Sequence, residues 1–191
     1  MEVFFAMKIE QTALPGVLAL TPKRFKDARG FFAESWNRRT LEAAGVNLPE
    51  FVQDNYSLTH NAGTLRGLHY QSPPHAQGKL VRCGRGAFCD VVVDIRCGSP
   101  TYGRWVRYML SFENALQLWI PPGFLHGFVT RRFDTEILYK CTDYYAPDCD
   151  GGVLWNSLDI DWGLEESPLL SEKDAGAVAF ADFESPFEWE G

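Results

Sequence analysis

The side chains best suited to proton transfer near neutral pH are the four histidines, His60, His69, His75 and His126. His69 lies in the strand-like run RGLHYQ, three residues after Arg66 and ten before Lys79. A lone histidine on a strand is more often a hydrogen-bonded structural residue, but these neighbouring cations favour a role in acid–base chemistry. Strict alternation puts Arg66 and His69 on opposite faces of a strand, so a shared pocket requires a bulge or bend at Gly67.

His126 lies in PPGFLHGF, and the spacing Pro121-x-Gly123-x-x-His126 resembles the second half-motif of the cupin jelly rolls. Metal-binding cupins commonly place a ligand there and two further histidines, one residue apart, in the first half-motif. The corresponding place here, Leu68-His69-Tyr70, has a single histidine, which leaves too few ligands for a tight site. The sequence therefore disfavours a metal, and a metal-dependent cupin such as an oxygenase stays the alternative.

Two further residues gain a chemical role only if the fold brings them to a histidine. Tyr139 lies on a predicted strand in TEILYKCTDYY, and a phenol with a pKa near 10 is a suitable proton donor when it faces a cavity opposite a base. Asp174 lies in the predicted short helix LLSEKDAG, where a solvated carboxylate is the usual finding.

The segment KRFKDARGFFAES combines cations with aromatic rings around a glycine turn. Arginine side chains suit phosphate groups, and aromatic rings suit a planar base, so the segment is a candidate for anion or nucleotide binding. Surface loops often contain such charges, and solvation is the simpler interpretation of this segment taken alone. Its four cations are Lys23, Arg24, Lys26 and Arg29.

The elements that must position these residues are mostly strands. Short β-rich stretches such as FVQDNYSLT, TLRGLHYQ, KLVRCGRGAFCDVVVDI and TEILYKCTDYY alternate with turn signals such as DARG, SPP and CGSP. This pattern predicts an all-β fold of antiparallel strands. Helix signals are confined to residues 36–45 and 171–177, so both helices should be short and peripheral. We expect a single domain over residues 1–191, with residues 178–191 as a C-terminal tail.

Composition excludes several classes of protein. The 191 residues form one ordinary domain, and the net charge of −7 argues against a nucleic acid partner. No apolar run approaches the roughly 20 residues that span a bilayer, and no secretory signal is visible, so neither a membrane partner nor export is expected. Five cysteines at irregular spacings favour the reducing cytoplasm over a disulfide framework.

Several motifs together closely resemble the dTDP-4-dehydrorhamnose 3,5-epimerase family. They include PGVLALTPKRFKDARGFFAES, QDNYSLTHNAGTLRGLHYQSPPHAQGKLVR, NALQLWIPPGFLHGF, ILYKCTDYYAP and LLSEKDA, from about Met7 to Ala175. Residues 1–6 would then be either an N-terminal extension or the result of a misassigned start. The resemblance implies a double-stranded β-helix, a cupin-like jelly roll, with no metal and no cofactor. It also implies a homodimer that exchanges N-terminal β segments, and a dTDP-sugar substrate.

The family's reaction inverts carbons 3 and 5 of dTDP-4-dehydro-6-deoxyglucose, on either side of a ketone. The resemblance assigns the base to His69, its orienting carboxylate to Asp174, the acid to Tyr139 and the cation near the keto oxygen to Lys79. The base removes a proton to give an enolate, and the acid returns a proton to the other face.

The same resemblance implies a larger set of substrate-binding residues, some of them supplied by the neighbouring subunit. They are Arg29, Phe32, Glu34, Gln53, Asn55, Arg66, His126, Tyr145 and Lys173. Relatives that act only at carbon 3 have the same base and acid, so a 3-epimerase is an alternative to the 3,5-epimerase. A sugar-nucleotide binding module without turnover is a further hypothesis.

Overall fold

The computed structural model describes residues 7–191, so the predicted extension over residues 1–6 lies outside the described residues. The regular structure of this part of the chain consists of thirteen strands, two short α-helices and two single-turn 3-10 helices, Pro147–Cys149 and Phe180–Asp182. The strands are β1 (Met7–Gln11), β2 (Leu18–Pro22), β3 (Arg24–Asp27), β4 (Gly30–Ala33), β5 (Gln53–Thr59), β6 (Leu65–Gln71), β7 (Lys79–Arg85), β8 (Ala87–Asp94), β9 (Trp105–Ser111), β10 (Gln117–Ile120), β11 (Phe124–Thr130), β12 (Thr135–Cys141) and β13 (Asp150–Gly152). The helices are α1 (Arg38–Ala43) and α2 (Glu172–Ala175).

Eleven of these strands form two antiparallel sheets that pack face to face. The first sheet has the order β1-β2-β10-β7-β12-β5, and the second has the order β13-β6-β11-β8-β9. Strands β3 and β4 form a separate hairpin. The predicted all-β fold is confirmed, since the two helices are short and lie outside the sheets.

The main core lies between the two sheets. Inward-facing residues of the first sheet, such as Val81 and Ile137, belong to the same buried cluster as Phe88, Val92 and Phe128 of the second. Alternation along each strand places these side chains on one face, as expected for a sheet that packs on a partner.

The outer faces of both sheets are covered as well. Helix α1 and the segment after it pack on the first sheet, where Leu41 joins Leu20 and Trp119 in one buried cluster. The outer face of the second sheet packs against residues from the segment 153–187, including Trp162 and Phe187. Strand β8 is therefore buried along its whole length and consists mainly of apolar residues, unlike a strand with one solvated face.

Both helices begin at side-chain caps, as their sequences predict. Asn37 caps α1 by accepting a hydrogen bond from the Thr40 amide, and Ser171 caps α2 by accepting one from the Asp174 amide. The predicted helices at 36–45 and 171–177 are confirmed with shorter bounds. No helix within residues 7–191 has the length and apolar character needed to cross a membrane.

The C-terminal segment is docked along the turn that follows β8. The Cys97 amide donates to the Phe187 carbonyl at 2.8 Å, and the Trp189 amide donates to the Cys97 carbonyl at 2.9 Å. The Arg96 guanidinium lies 4.2 Å from the ring centroid of Phe124 and 4.3 Å from that of Trp189. The aromatic residues of the C-terminal segment thus anchor it to the rest of the fold, despite its acidic composition.

Candidate active site

A cavity of about 380 Å³ lies between strand β6 of the second sheet and strands β5, β7 and β12 of the first. Polar and aromatic side chains from both sheets and from the segments that follow them make up its wall. They are Gln53, Asn55, His69, Tyr70, Gln71, Gln77, Lys79, Tyr139, Tyr145, Asp150 and Lys173. Seven of the thirteen residues predicted for the site are among them.

The register of the first sheet brings four of these residues to one face. Tyr139 is opposite Asn55, while Cys141 is opposite both Gln53 and Lys79. Residues directly opposite each other, and residues two apart on a strand, point to the same side of a sheet. The Gln53 amide donates to the Asn55 carbonyl oxygen at 3.1 Å, which fixes the two side chains relative to each other.

His69 and Asp174 form a hydrogen-bonded pair at the cavity wall. His69 Nε2 lies 2.5 Å from Asp174 Oδ1, although the two residues are 105 positions apart in the chain. The imidazole is 33% exposed and the carboxylate only 4% exposed. Ser171 is the N-cap of helix α2. Its hydroxyl accepts a hydrogen bond from the Asp174 amide, and this cap holds Asp174 against strand β6.

The charge state of Asp174 follows from its partners. Burial disfavours the carboxylate, but hydrogen bonds from His69, Ser171 and the Gly67 amide outweigh burial and hold the pKa of Asp174 below its ordinary value. With Asp174 ionised, His69 donates through Nε2, and Nδ1 is the nitrogen left to accept a proton. The pair therefore has the geometry of a general base with its orienting carboxylate.

The predicted bulge at Gly67 is confirmed. Strand β11 pairs His126 with His69 and Phe128 with Arg66, so three steps along β6 match two steps along β11. Gly67 has a φ of +113°, and a Cβ atom there would lie 2.6 Å from Gly127 Cα. The bulge removes the strict alternation that would separate Arg66 from His69. Arg66 is exposed outside the cavity wall, and its charge acts on Tyr139.

Lys79 is half-buried at the start of β7, and burial lowers its pKa. The lowering of the Lys79 pKa is opposed by nearby negative charges, which are those of Cys141 in its thiolate form, Asp150 and Asp90. Among the residues that the structure describes, none forms a hydrogen bond or ion pair with the Lys79 ammonium. The ammonium is thus available to an anionic group of a ligand in the cavity.

Tyr139 lines the cavity from strand β12, on the opposite sheet from His69. Burial raises the pKa of its phenol, as do the negative charges of Cys141 and Asp150, while Arg66 opposes the increase. The phenol therefore stays protonated at neutral pH and can donate a proton into the cavity.

Asp150 is a residue of the cavity wall that the sequence analysis missed. It accepts hydrogen bonds from the Tyr145 hydroxyl at 3.0 Å and the Lys173 ammonium at 2.5 Å. The register of β13 on β6 places Asp150 opposite Gln71, beside the cavity. The only local signal is its position before Gly151-Gly152, which does not reveal a short strand. Tyr70, Gln71 and Gln77 were missed as well.

Three residues predicted to bind substrate lie away from this cavity within one chain. Arg29 is 90% exposed and pairs with Asp27 at 2.5 Å. Phe32 is exposed on the β3–β4 hairpin and lines a separate cavity of about 330 Å³. Glu34 accepts hydrogen bonds from Asn37 at 2.9 Å and Thr40 at 3.1 Å, near the start of α1.

His126 lies directly opposite His69 in the second sheet but does not line the cavity. Its Nε2 atom is 2.6 Å from Asp90 Oδ1, and Asp90 is fully buried. Within residues 7–191, no group of three or more His, Cys, Asp or Glu side chains is arranged to hold a metal ion.

The fold and the cavity together define a jelly-roll enzyme whose chemistry is proton transfer. A family model described as dTDP-4-dehydrorhamnose 3,5-epimerase matches residues 11–182. The chain belongs to this family and is an isomerase.

Individual relatives agree with the family match. A dTDP-4-dehydrorhamnose 3,5-epimerase of Pseudomonas aeruginosa is 52% identical over 178 residues, which is 92% of this chain and 97% of that protein. A crystal structure of a Legionella pneumophila 3,5-epimerase in complex with dTDP-4-keto-L-rhamnose has a TM-score of 0.90 at 43% identity, covering 97% of this chain and 100% of that one.

A third comparison is with the Bacillus anthracis dTDP-4-dehydrorhamnose 3,5-epimerase, solved with TDP and PPi bound. Its TM-score is 0.86 at 48% identity, with coverage of 90% of this chain and 98% of that one. The family and fold predicted from the sequence are confirmed. The names of these relatives favour the 3,5-epimerase over the alternative that acts at carbon 3 alone.

Proposed function

We propose that this protein inverts carbons 3 and 5 of dTDP-4-dehydro-6-deoxyglucose to give dTDP-4-dehydro-rhamnose, with His69, Asp174, Tyr139 and Lys79 as its catalytic groups. The observation that carries the proposal is the His69–Asp174 pair on one sheet, with Tyr139 and Lys79 on the other sheet around the same cavity. A base and an acid on opposite walls suit removal of a proton from one face of a carbon and its return to the other.

The chemistry requires proton transfers only. His69 Nδ1 takes the proton from the carbon next to the ketone, and the electron pair of that C–H bond moves to the keto oxygen to form an enolate. Asp174 stabilises the resulting imidazolium, and the Lys79 ammonium stabilises the oxyanion. Tyr139 then donates its proton to the same carbon from the opposite face. Regain of a proton by Tyr139 and loss of one by His69 restore the enzyme for the second carbon.

The remaining predicted residues fit the binding of a nucleoside diphosphate. Lys173 and Arg66 supply cations at and near the cavity for the diphosphate, and Gln53, Asn55 and Tyr145 supply polar and aromatic contacts for the sugar and the base. We assign His126 to the site through its position next to His69.

Arg29, Phe32 and Glu34 would act on the cavity of a neighbouring subunit. None of the three lines the cavity of its own chain, and Phe32 is 70% exposed, which supports a homodimer. We further propose that N-terminal β segments are exchanged, because β1 forms the edge of the first sheet and most of its residues are not buried. Sedimentation equilibrium of the purified protein should give twice the chain mass, and a monomer would contradict this proposal.

The function is tested by NMR of dTDP-4-dehydro-6-deoxyglucose in heavy water. Deuterium should enter at carbons 3 and 5, and a rhamnose-forming reductase should trap the product. His69→Ala should abolish exchange at both carbons, whereas Tyr139→Phe should retain proton abstraction and lose productive protonation. Exchange at carbon 3 alone would identify a 3-epimerase, and tight dTDP binding without exchange would identify a binding module.

We also propose a cytoplasmic location, supported by five free cysteines at positions 83, 89, 97, 141 and 149. Cell fractionation tests this location. Elemental analysis of protein purified without chelator tests the metal-dependent alternative, which a stoichiometric metal would support.

A further inference from the structure

A second histidine–carboxylate pair lies inside the roll, next to the His69–Asp174 pair. His126 Nε2 is 2.6 Å from Asp90 Oδ1, and the register of β11 on β8 places Asp90 opposite Phe128, diagonal to His126 on the inner face. Asp90 is 0% exposed, and the His126 side chain is 11% exposed.

One oxygen of this buried carboxylate is unsatisfied. Asp90 Oδ2 is buried and has no hydrogen-bond partner within the part of the chain that the structure describes. Leaving a buried acceptor unpaired destabilises the folded protein, and an apolar residue of similar size would avoid that cost. Asp90 lies between Phe88 and Val92, its apolar neighbours on the same face of β8. Packing against these two side chains therefore does not explain why this position is a carboxylate.

The position of Asp90 connects it to two groups of the proposed mechanism. His126 is directly opposite His69, so the two imidazoles are neighbours across one pair of strands. The charge of Asp90 also reaches Lys79 on the other sheet, where it favours the ammonium form. During the proposed reaction His69 becomes an imidazolium while Lys79 is an ammonium, which puts two cations at one cavity. Asp174 offsets the first of these charges.

We propose that Asp90 is a positioning residue that supplies fixed negative charge beneath the cavity, on which the cationic forms of His69 and Lys79 depend. Within residues 7–191, His126 is the one hydrogen-bonding partner of the Asp90 carboxylate, and no Arg or Lys forms an ion pair with it. No arginine or lysine therefore cancels the field of the carboxylate, which extends toward Lys79 in the cavity. This inference rests on the proposed function of the cavity.

Other titratable groups face the same region, and the test has to separate them from Asp90. Tyr108 on β9 is opposite Asp90, and the neighbouring Cys89 thiol points to the outer face of the sheet. The groups that act on Lys79 from other elements are Cys141, Asp150 and Lys173, besides Asp90 itself. A substitution of Asp90 changes none of these groups, so they are present in both wild type and Asp90→Asn.

The test compares the pH dependence of kcat/KM for wild type and Asp90→Asn. Loss of the negative charge lowers the pKa of both cationic acids. The acid limb, which requires neutral His69, and the basic limb, which requires protonated Lys79, should then both move to lower pH, by about 1 unit. A merely structural role would reduce the height of the profile and leave both midpoints in place, which would overturn the inference.

The matched control is His126→Gln, which removes the imidazole and retains both the carboxylate and an amide donor for it. Its midpoints should stay at the wild-type pH, whatever the height of the profile. Midpoints that move as far as in Asp90→Asn would assign the effect to His126 and contradict the proposed role of Asp90.

A titration of the His69 ring by NMR gives a readout that does not need turnover. Its pKa should fall in Asp90→Asn even if the protein proves to be a binding module, so failure of the proposed function and failure of this inference are distinguishable. If Asp90→Asn does not fold, the ¹³C shift of the Asp90 carboxyl in wild type decides the question. The group should be ionised throughout the active pH range, and a protonated Asp90 would overturn the inference.

Discussion

At the scale of single residues, the charge of Asp174 is the feature that links stability to catalysis. We expect Asp174→Asn to reduce kcat by about 10²-fold or more, since an amide cannot offset the imidazolium formed at His69. Single-turnover kinetics of the epimerisation would measure the loss. An Asp174→Asn protein with the wild-type rate constant would exclude Asp174 from the mechanism.

The same carboxylate predicts a pH-dependent difference in stability. Because the pKa of Asp174 is lower in the folded protein than its ordinary value of 3.8, its ionised form stabilises the fold above that value. This contribution is lost as the pH falls through the lowered pKa. Urea unfolding should therefore show a gap between wild type and Asp174→Asn at pH 7 that closes in acid. Glu172→Gln, an exposed position on the same helix, should show no such gap.

At the scale of elements, the bulge in β6 sets the orientation of the base. Gly67→Ala would place a Cβ 2.6 Å from Gly127 Cα and 2.7 Å from the His126 carbonyl oxygen, at a φ that L side chains rarely adopt. We expect a loss of about 3 kcal/mol or more in the free energy of unfolding, from strain and overpacking together, and a loss of activity.

Gly63 supplies the matched control for this substitution. Its φ is +76°, and nothing lies within 4 Å of a Cβ built there. Gly63→Ala should therefore cost about 1–2 kcal/mol, from backbone strain alone, and should leave activity intact. Equal losses in the two variants, measured by chemical denaturation, would show that the contact with β11 does not determine the cost at Gly67.

The elements also show how far the sequence alone could predict this protein. Alternation and turn residues predicted most strands of the two sheets, but not β1 or the β3–β4 hairpin. The bulge was predicted from the requirement that Arg66 and His69 share a pocket. The pairing of His69 with Asp174 spans 105 positions, and no local pattern indicates it, so its prediction came from the family resemblance. Asp150 was missed because its short strand is defined by pairing with β6 and not by its own residues.

At the scale of the whole molecule, Arg96 connects the second sheet to the C-terminal segment. It donates to Asp94 Oδ1 at 2.9 Å and Oδ2 at 2.6 Å, and Asp94 is 0% exposed. Arg96→Met should destabilise the protein by about 3–5 kcal/mol, because it leaves a buried carboxylate without its cation. Arg132→Met removes an ion pair of two side chains that are 56% and 57% exposed and should cost less than about 1 kcal/mol.

Thermal unfolding of the two variants measures this contrast. Burial disfavours the Asp94 carboxylate, but hydrogen bonds from Arg96, Ser99 and Thr101 hold its pKa below the ordinary value. The contribution of the pair is therefore present at neutral pH and lost in acid. A gap between Arg96→Met and wild type that stays constant down to acidic pH would contradict the role of this charge pair.

The segment that packs on the outer face of the second sheet is synthesised after the strands that it covers. All five strands of that sheet end by Gly152, whereas the residues that pack on its outer face include Trp162 and Phe187, which come later in the chain. Because synthesis starts at the N-terminus, the nascent chain exposes the outward-facing side chains of β8 until this later segment has been translated. Val91 and Val93 are among these side chains. During that interval the exposed apolar surface makes the chain prone to aggregation, which is the condition that chaperones counter.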